Sequence, residues 1–216
     1  MKRTLFTMVA VAAIALAGCK KDSSNKPAPS SDTYLPVTKG STWTYNDITA
    51  GNSDTRTITL TGATTQISGK TYYNVTINSV KNGTVTGYFY SANHEYTIRG
   101  SNPALAISLE FPIGVDNQNV GYSWTSLPTD NGQINGVPGK FVNSVKEKGI
   151  TKEVNGRSYS NVIHTQADLQ YDLGSGYTTV GAYNFYIAKG VGLIAEDFTM
   201  NGASYETETL ISYSIK

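Results

Sequence analysis

Hydrophobic and β-branched residues alternate with polar residues over short stretches throughout residues 34–216. Thr, Tyr, Val and Ile dominate these stretches, and Gly, Asn, Asp or Pro interrupts them about every eight to twelve residues, which is typical of an all-β domain. No segment shows a convincing helical period. The pattern predicts twelve strands, at residues 42–48, 55–66, 71–80, 84–91, 95–99, 104–111, 122–127, 141–148, 159–173, 177–188, 193–200 and 204–215.

Glycine and asparagine mark the turns between these strands. Both residues accept the positive φ that tight hairpins require. Because the turns join consecutive strands, we predict an antiparallel meander. The clearest turns are Ser68-Gly69, Asn82-Gly83, Asn155-Gly156, Gly174-Ser175-Gly176 and Asn201-Gly202.

The two halves of this region repeat one order of features. A proline-containing segment, a Gly-x-x-Trp segment, a hairpin and an aromatic pair follow one another twice. This order indicates an internal duplication with pseudo-repeats at about residues 34–109 and 110–216. Chance similarity between two Thr- and Tyr-rich halves is the alternative. The matched segments are 34–37 with 110–113, 40–44 with 121–125, 67–75 with 154–162, and 89–92 with 185–188.

Each predicted meander has one apolar face and two exposed edges. Two copies can cover these faces and edges by closing on each other. The fold class is therefore all-β, either a barrel-like sheet or a two-sheet sandwich, and we favour the barrel-like form. Two separate small domains are the alternative.

A short apolar segment lies near the amino terminus. Met1-Lys2-Arg3 is positively charged, residues 5–17 carry no charge and are mostly apolar, and the small residue Gly18 follows. This order is that of a secretory signal peptide, and the segment is shorter than the roughly 20 residues that cross a bilayer as a helix. We predict a signal peptide at residues 1–18.

Leu16-Ala17-Gly18-Cys19 resembles the lipobox of bacterial lipoproteins, and Cys19 is the only cysteine in the chain. The resemblance implies cleavage before Cys19 and acylation of its thiol, with palmitate for example, and of its new amino group. Several acyl chains give lasting membrane attachment. The alternative is an ordinary secretory cleavage that leaves Cys19 as a free thiol.

The residue after the lipidated cysteine directs lipoproteins to a membrane. In this family an Asp at that position favours the inner membrane, whereas this chain has Lys20, which implies the outer membrane. Lys20-Lys21-Asp22 is similar to signals for the outer face, but the face stays open.

Residues 19–33 form a polar linker after the predicted cleavage site. Ser, Asn, Lys, Pro and Asp predominate there, so we predict a disordered tether and a folded domain that begins at Tyr34. Loss of Lys2 and Arg3 with the signal peptide changes the formal charge from +1 to −1. Such a chain lacks the basic face that nucleic-acid binding requires, so we exclude nucleic acid as a partner.

No motif in the sequence points to a catalytic or metal centre. His94 and His164 do not have a metal-ligand spacing. The loop that begins at Asp116 has Leu127 at the twelfth position, where an EF-hand requires Glu. We predict no catalytic residue, no metal, no cofactor and no enzymatic activity.

Four carboxylates near the carboxyl terminus are the strongest candidates for a catalytic pair in this sequence. Glycoside hydrolysis uses two such groups about 5–10 Å apart. The interpretation that we favour places them at solvent-facing strand positions. The residues are Glu196, Asp197, Glu206 and Glu208.

Aromatic residues are abundant, with 15 tyrosines and 2 tryptophans in 216 residues. On an exposed face, Tyr88, Tyr90 and Tyr96 would stack on sugars or line an apolar cavity. A core role is the interpretation that we favour, because tyrosine is common in strands. Trp43 and Trp124 are interpreted as core anchors.

The order of aromatic-x-Pro, Gly-x-x-Trp and the segment 186–194 resembles uncharacterised β-rich envelope lipoproteins. The resemblance covers most of residues 34–216 and implies a fold class only. We expect a non-enzymatic outer-membrane lipoprotein that binds a ligand or packs against other proteins. A surface glycan-binding lipoprotein and an envelope hydrolase are the alternatives. The partners implied are the membrane, through the lipid on Cys19, and a glycan, a lipid or another envelope protein.

Overall fold

The computed structural model describes residues 32–102 and 107–216. The predicted signal peptide and Cys19 lie outside this part. No helix in the described residues is long and apolar enough to cross a membrane. All twelve predicted strands are present, with one short addition, β8. The strands are β1 Thr42–Thr49, β2 Asn52–Ile67, β3 Lys70–Ser79, β4 Gly83–Ala92, β5 Glu95–Asn102, β6 Ile107–Val115, β7 Ser123–Ser126, β8 Gln133–Ile134, β9 Val137–Val154, β10 Arg157–Asp172, β11 Tyr177–Ala188, β12 Gly192–Met200 and β13 Ala203–Ser214.

Twelve strands form one continuous antiparallel sheet, in the order β6-β5-β4-β3-β2-β1-β13-β12-β11-β10-β9-β7. The first and last long strands of the chain, β1 and β13, pair from Thr42 opposite Ser214 to Thr49 opposite Glu206. The sheet curls until its two outer strands approach each other, and the Glu110 amide donates to the Pro128 carbonyl at 2.9 Å. The all-β, barrel-like prediction is confirmed, and the barrel is nearly closed.

The strand order divides into two six-strand meanders, β1–β6 and β7 with β9–β13. Two tandem copies of one meander would give this strand order. Phe89 lies on the fourth strand of the first meander, and Phe185 lies on the fourth strand of the second. The expected boundary at residue 110 falls inside β6, so the first meander extends to Val115. Pro36 and Pro112 are not equivalent, because Pro36 precedes β1 whereas Pro112 lies within β6. The duplication itself stays a prediction.

Packed side chains fill the lumen at the end where the chain enters the barrel. Leu35, Trp43 and Ile113 are at most 1% exposed. The Trp43 indole donates from Nε1 to the Val191 carbonyl at 2.6 Å. Burying such large side chains stabilises the barrel by about 1.5–3 kcal/mol for each one.

The fold begins two residues earlier than the sequence indicates. The Gly190 amide donates to the Thr33 carbonyl at 2.7 Å, and Lys189 Nζ lies 3.0 Å from Asp32 Oδ1. The turn between β11 and β12 therefore holds the chain before Tyr34, and residues 32 and 33 do not belong to a free tether.

Candidate ligand site in the barrel lumen

Four carboxylates gather in the lumen away from the entry end. Asp47, Glu206 and Glu208 extend from the neighbouring strands β1 and β13, and Glu196 extends from β12. We call these four residues the acidic cluster. Asp47 is four residues beyond the packed Trp43, which is about 13 Å along a strand.

Strand register sets three of these carboxylates in a row. Asp47 lies opposite Glu208, and Glu208 lies opposite Glu196. Opposite residues of an antiparallel pair have Cβ atoms about 4.5–5.5 Å apart, and like charges in such positions are destabilising. The row therefore costs stability unless a cation or protons neutralise it.

The expectation that these glutamates face solvent is wrong for Glu208, which is only 6% exposed. Glu196 and Glu206 are half-buried. The reason is strand alternation, because Glu208 shares its face of β13 with the buried Leu210. That shared face was a signal available in the sequence.

Arg56 of β2 is the cation that faces the acidic cluster. Its Nη2 lies 3.1 Å from Glu208 Oε1 and 3.5 Å from Glu206 Oε1. Its Nε lies 3.4 Å from Asp47 Oδ2. One guanidinium thus contacts three carboxylates. A single positive charge is too little to neutralise the four carboxylates of the acidic cluster.

Two carboxylates of the cluster lack hydrogen-bond donors. Glu208 Oε1 is buried and accepts no hydrogen bond despite its approach to Arg56. Within residues 32–102 and 107–216, the half-buried Glu196 carboxylate forms neither a hydrogen bond nor an ion pair. Buried polar groups are normally hydrogen-bonded, so Glu208 Oε1 in particular can accept a donor from a ligand.

Asp54 shows how the barrel satisfies a buried carboxylate that has only a structural role. It accepts the Ser79 hydroxyl at 2.5 Å and the amides of Thr55 and Lys81 at 2.7 and 3.2 Å. The Ser79 hydrogen bond is the main cause that lowers the pKa of Asp54. The acidic cluster lacks this kind of support.

Burial changes the titration of the cluster. Burial raises the pKa of Glu208 to about 7, against an opposing effect of Arg56. Burial, together with the charges of Glu208 and Glu206, raises the pKa of Glu196 well above its usual value. The cluster therefore holds some of its protons near neutral pH.

A cavity of about 140 Å³ adjoins the cluster. Glu196, Glu206, Glu208 and Arg56 line it together with apolar and aromatic side chains, and Glu196 pairs directly with Phe185 across β11 and β12. Three of the lining rings pack together, with the Tyr183 ring centroid 5.1 Å from Phe111 and 5.7 Å from Phe185. The aliphatic part includes Ile58, Ile77, Ile98 and Ile113.

Gly100 of β5 leaves part of the cavity empty. A Cβ built on Gly100 would meet no heavy atom within 4 Å, and the residue lines the cavity. A larger side chain at this position would project into the space that a ligand would use.

The structure does not bring Tyr88, Tyr90 and Tyr96 together on an exposed face. Tyr88 is half-buried, and Tyr90 and Tyr96 are 7% and 5% exposed. Tyr96 pairs with Ser91, so it lies on the face of the sheet opposite to Tyr88 and Tyr90. None of the three lines the lumen cavity.

The two histidines also lie outside the cavity. His94 Nδ1 is 2.6 Å from Asp116 Oδ1 in the turn after β4. The ring nitrogens of His164 lie 3.0 Å from Glu147 and 2.9 Å from Asn184. The part of the chain that the structure describes contains no group of three or more His, Cys, Asp or Glu that could hold a metal ion.

A second cavity, of about 210 Å³, lies at the seam between β6 and β7. Of its two carboxylates, Glu95 is exposed. Glu110 already has partners: the Tyr72 hydroxyl donates to it at 2.8 Å, and Arg99 and Lys70 lie 3.4 and 3.8 Å away. The seam cavity therefore offers a ligand no unpaired buried charge.

Two solved structures resemble the barrel. A Bacteroides fragilis protein, described as exported and of YmcC-like fold, is 10% identical over 85% of this chain and 99% of its own, with a TM-score of 0.51. The chain has a YmcC-like fold. A Parabacteroides distasonis protein, described as a lipoprotein, is 13% identical over 85% of this chain and 99% of its own, with a TM-score of 0.49. No protein family and no curated protein matches the sequence.

We expect the stability of this YmcC-like barrel to fall as pH rises from about 5 to 8. The folded-state pKa of Glu208 is about 7, above its ordinary value of 4.5, so the contribution of Glu208 is full below pH 4.5 and lost as pH passes 7. The loss is roughly 3 kcal/mol for this group. Asp54 and Asp130, whose pKa values are lowered from 3.8, stabilise the fold equally at pH 5 and pH 8 and lose that contribution only below pH 3.8. Thermal unfolding across this pH range measures the effect.

Glu196→Gln tests, in the same measurement, whether the acidic cluster causes the pH dependence of stability. The variant should be more stable than the wild type at pH 8 and equal to it at pH 5, because it removes a poorly compensated charge. Glu153→Gln, at an exposed position of β9, is the matched control and should follow the wild-type curve. A wild-type curve that is flat between pH 5 and 8 would contradict the account.

Proposed function

We propose that the protein is a non-enzymatic, lipid-anchored lipoprotein of the outer membrane whose barrel binds a small ligand in the lumen cavity. One observation carries this proposal. The lumen cavity is lined by apolar and aromatic side chains together with Glu208, whose buried Oε1 accepts no hydrogen bond. Ligand sites typically combine mostly apolar walls with a few convergent polar groups.

The cost of the acidic cluster supports a binding role. A carboxylate buried without partners destabilises a fold, and natural proteins keep such violations mainly at functional sites. Elsewhere in the lumen, Trp43 and Tyr45 each donate to a backbone carbonyl. Among the described residues, Glu208 is the charged residue whose buried oxygen lacks a hydrogen bond, and it lines the cavity.

The size of the cavity favours a small ligand over the two alternatives. A volume of about 140 Å³ is below the roughly 300 Å³ of typical ligand pockets and is close to the roughly 150 Å³ that holds benzene. Glycan binding by an exposed row of tyrosines lacks support, because Tyr90 and Tyr96 are buried. A glycoside hydrolase needs room for sugars on both sides of the scissile bond.

The path of the chain supports an orientation for the bound barrel. Thr33 is held by the turn between β11 and β12, at the end where β1 begins. The acidic cluster lies towards the other end of β1, beyond Trp43. With Cys19 in the lipid, the tether would join the barrel at the end away from the cavity.

Filling the cavity tests the binding function. Gly100→Val should abolish binding of benzylamine, used as a probe of benzene-like size, because the new side chain occupies free space. Calorimetric titration of the full-length chain measures binding. The melting temperature should stay within a few degrees of the wild type, which shows that the barrel is intact.

The matched control is Thr151→Val, which places a valine at an exposed position of β9 that does not line the cavity. It should bind the probe as the wild type does. Equal binding by Gly100→Val would place the probe elsewhere and would contradict the proposal.

Replacement of the lipidated residue tests the anchor. Cys19→Ala should abolish acyl labelling and move the protein from the membrane fraction to the soluble fraction, because the acyl chains supply the attachment. Metabolic labelling with a palmitate analogue and membrane fractionation measure this. Unchanged labelling and attachment would show that Cys19 is not the anchor.

A further inference from the structure

We infer that the lumen cavity selects small organic cations that carry an apolar body, such as a primary amine on an aromatic or aliphatic group. This inference rests on the binding function proposed above and adds the chemical class of the ligand. The observation behind it is a cavity of near-benzene size that is lined both by aromatic rings and by carboxylates, of which Glu208 has a buried oxygen that accepts no hydrogen bond.

The charge in the lumen favours a cation. Four carboxylates face one guanidinium, so the fully ionised cluster carries a formal charge of −3. An anionic ligand would meet like charge in a poorly solvated space, where repulsion is strong. A cation would supply the positive charge that Arg56 alone does not provide.

The free oxygens favour a ligand that donates hydrogen bonds. Ionised Glu196 and Glu208 are acceptors only, and an ammonium group carries three donors and no acceptor. Hydrogen bonds between charged partners are roughly twice as strong as neutral ones. A hydroxyl can donate to the same oxygens, but it leaves the charge of the cluster in place.

The aromatic lining fits both parts of such a ligand. Aromatic rings such as Phe111, Tyr183 and Phe185 attract cations and also pack against apolar groups. The aliphatic side chains nearby, such as Ile98 and Ile113, offer no polar atom. The body of the ligand is therefore apolar, and the cationic group is at its acidic end.

Proton linkage follows from the same geometry. A bound cation favours the ionised cluster, so binding should release protons and tighten as pH rises from 6 to 8. We expect affinity for an amine to increase about tenfold over this range, because carboxylates protonated at pH 6 ionise by pH 8. The charged and titratable groups that face Glu208 are Asp47 and Tyr45 on β1, Arg56 on β2, Glu206 on β13 and Glu196 on β12. Tyr183 on β11 faces Glu196 and Glu206.

Three probes of one shape and different charge test the inference. Benzylamine, benzyl alcohol and benzoate are titrated calorimetrically into the full-length chain at pH 8. We expect benzylamine to bind at least tenfold more tightly than benzyl alcohol, and benzoate not to bind. Glu196→Gln combined with Glu208→Gln should weaken benzylamine at least tenfold and leave benzyl alcohol unchanged, whereas Glu153→Gln should change neither.

The outcomes separate this inference from the binding function. If benzyl alcohol or benzoate binds as tightly as benzylamine and Gly100→Val abolishes that binding, the cavity binds ligands but does not select cations. If Ca²⁺ displaces benzylamine at equal concentration, charge alone decides selection and the inference also fails. If none of the three probes binds in a way that Gly100→Val abolishes, the binding function itself is wrong.

Discussion

Arg56→Gln should destabilise the barrel by about 3 kcal/mol or more at pH 8 and by much less at pH 5. Removing one partner from a buried ion pair typically costs about 3–5 kcal/mol, because the other charge stays buried and uncompensated. Arg56 faces three carboxylates at 3.1–3.5 Å. At pH 5 the raised pKa values of Glu196 and Glu208 leave these groups mostly protonated, so less charge is uncovered. Urea unfolding at both pH values measures the difference.

The control is Arg157→Gln, at an exposed position at the start of β10, where the Arg157 guanidinium lies 5.9 Å from the Tyr213 ring centroid. Such a surface change should cost no more than about 0.5 kcal/mol at either pH. An equal loss of stability at pH 5 and pH 8 for Arg56→Gln would show that the acidic cluster does not carry the charge that we assign to it.

Trp43→Ala should cost about 3–5 kcal/mol, the range for a fully buried aromatic side chain. Trp43 is 1% exposed and packs edge-on against Phe89 at 5.8 Å. Its loss leaves a large void and also removes the donor to the Val191 carbonyl. Urea unfolding at pH 5, where the acidic cluster is least charged, measures this cost separately from the electrostatics.

Trp124→Ala is the comparison that the repeated sequence supplies. Trp124 is half-buried and stacks on the exposed Tyr122 at 5.6 Å, so its removal should cost clearly less than removal of Trp43. If the two substitutions lowered the free energy of unfolding equally, Trp43 would not be the main anchor of the core.

The local sequence predicts the strands well because the turns that separate them are determined locally. Asn155-Gly156 and Asn201-Gly202 both have positive φ in the structure, and each joins the strands expected on either side. The pairing of β1 with β13 is different, since it joins residues more than 150 positions apart and depends on how the whole sheet curls. The sequence pattern therefore favours a barrel over a sandwich but does not determine which of the two forms.

The acidic cluster was harder to predict, although its signal is present. In β12 the residues Ile194, Glu196 and Phe198 share one face, and in β13 Glu208 and Leu210 do the same. Alternation therefore puts the glutamates on apolar faces. Arg56 comes from a strand about 150 residues earlier, so the composition of the site depends on tertiary structure.

The cavity of the barrel could not be predicted at all from the sequence. It depends on a missing side chain at Gly100 and on the meeting of Phe111 from β6 with Phe185 from β11 across the lumen. Tyr90 and Tyr96, the aromatic residues singled out by the sequence, pack instead against Tyr72 and Tyr34 at 5.6 and 5.9 Å. An abundance of tyrosine does not by itself indicate which face a strand buries.

The most direct test of the central claim is a titration of the protein with benzylamine, followed by NMR of isoleucine δ1-methyl groups. Four isoleucines line the cavity, namely Ile58, Ile77, Ile98 and Ile113, whereas Ile48 and Ile211 are exposed outside it. We predict saturable shifts of the four lining methyl signals, with the exposed two unchanged. Shifts at Ile48 and Ile211 without shifts at the lining four would contradict a ligand site in the lumen.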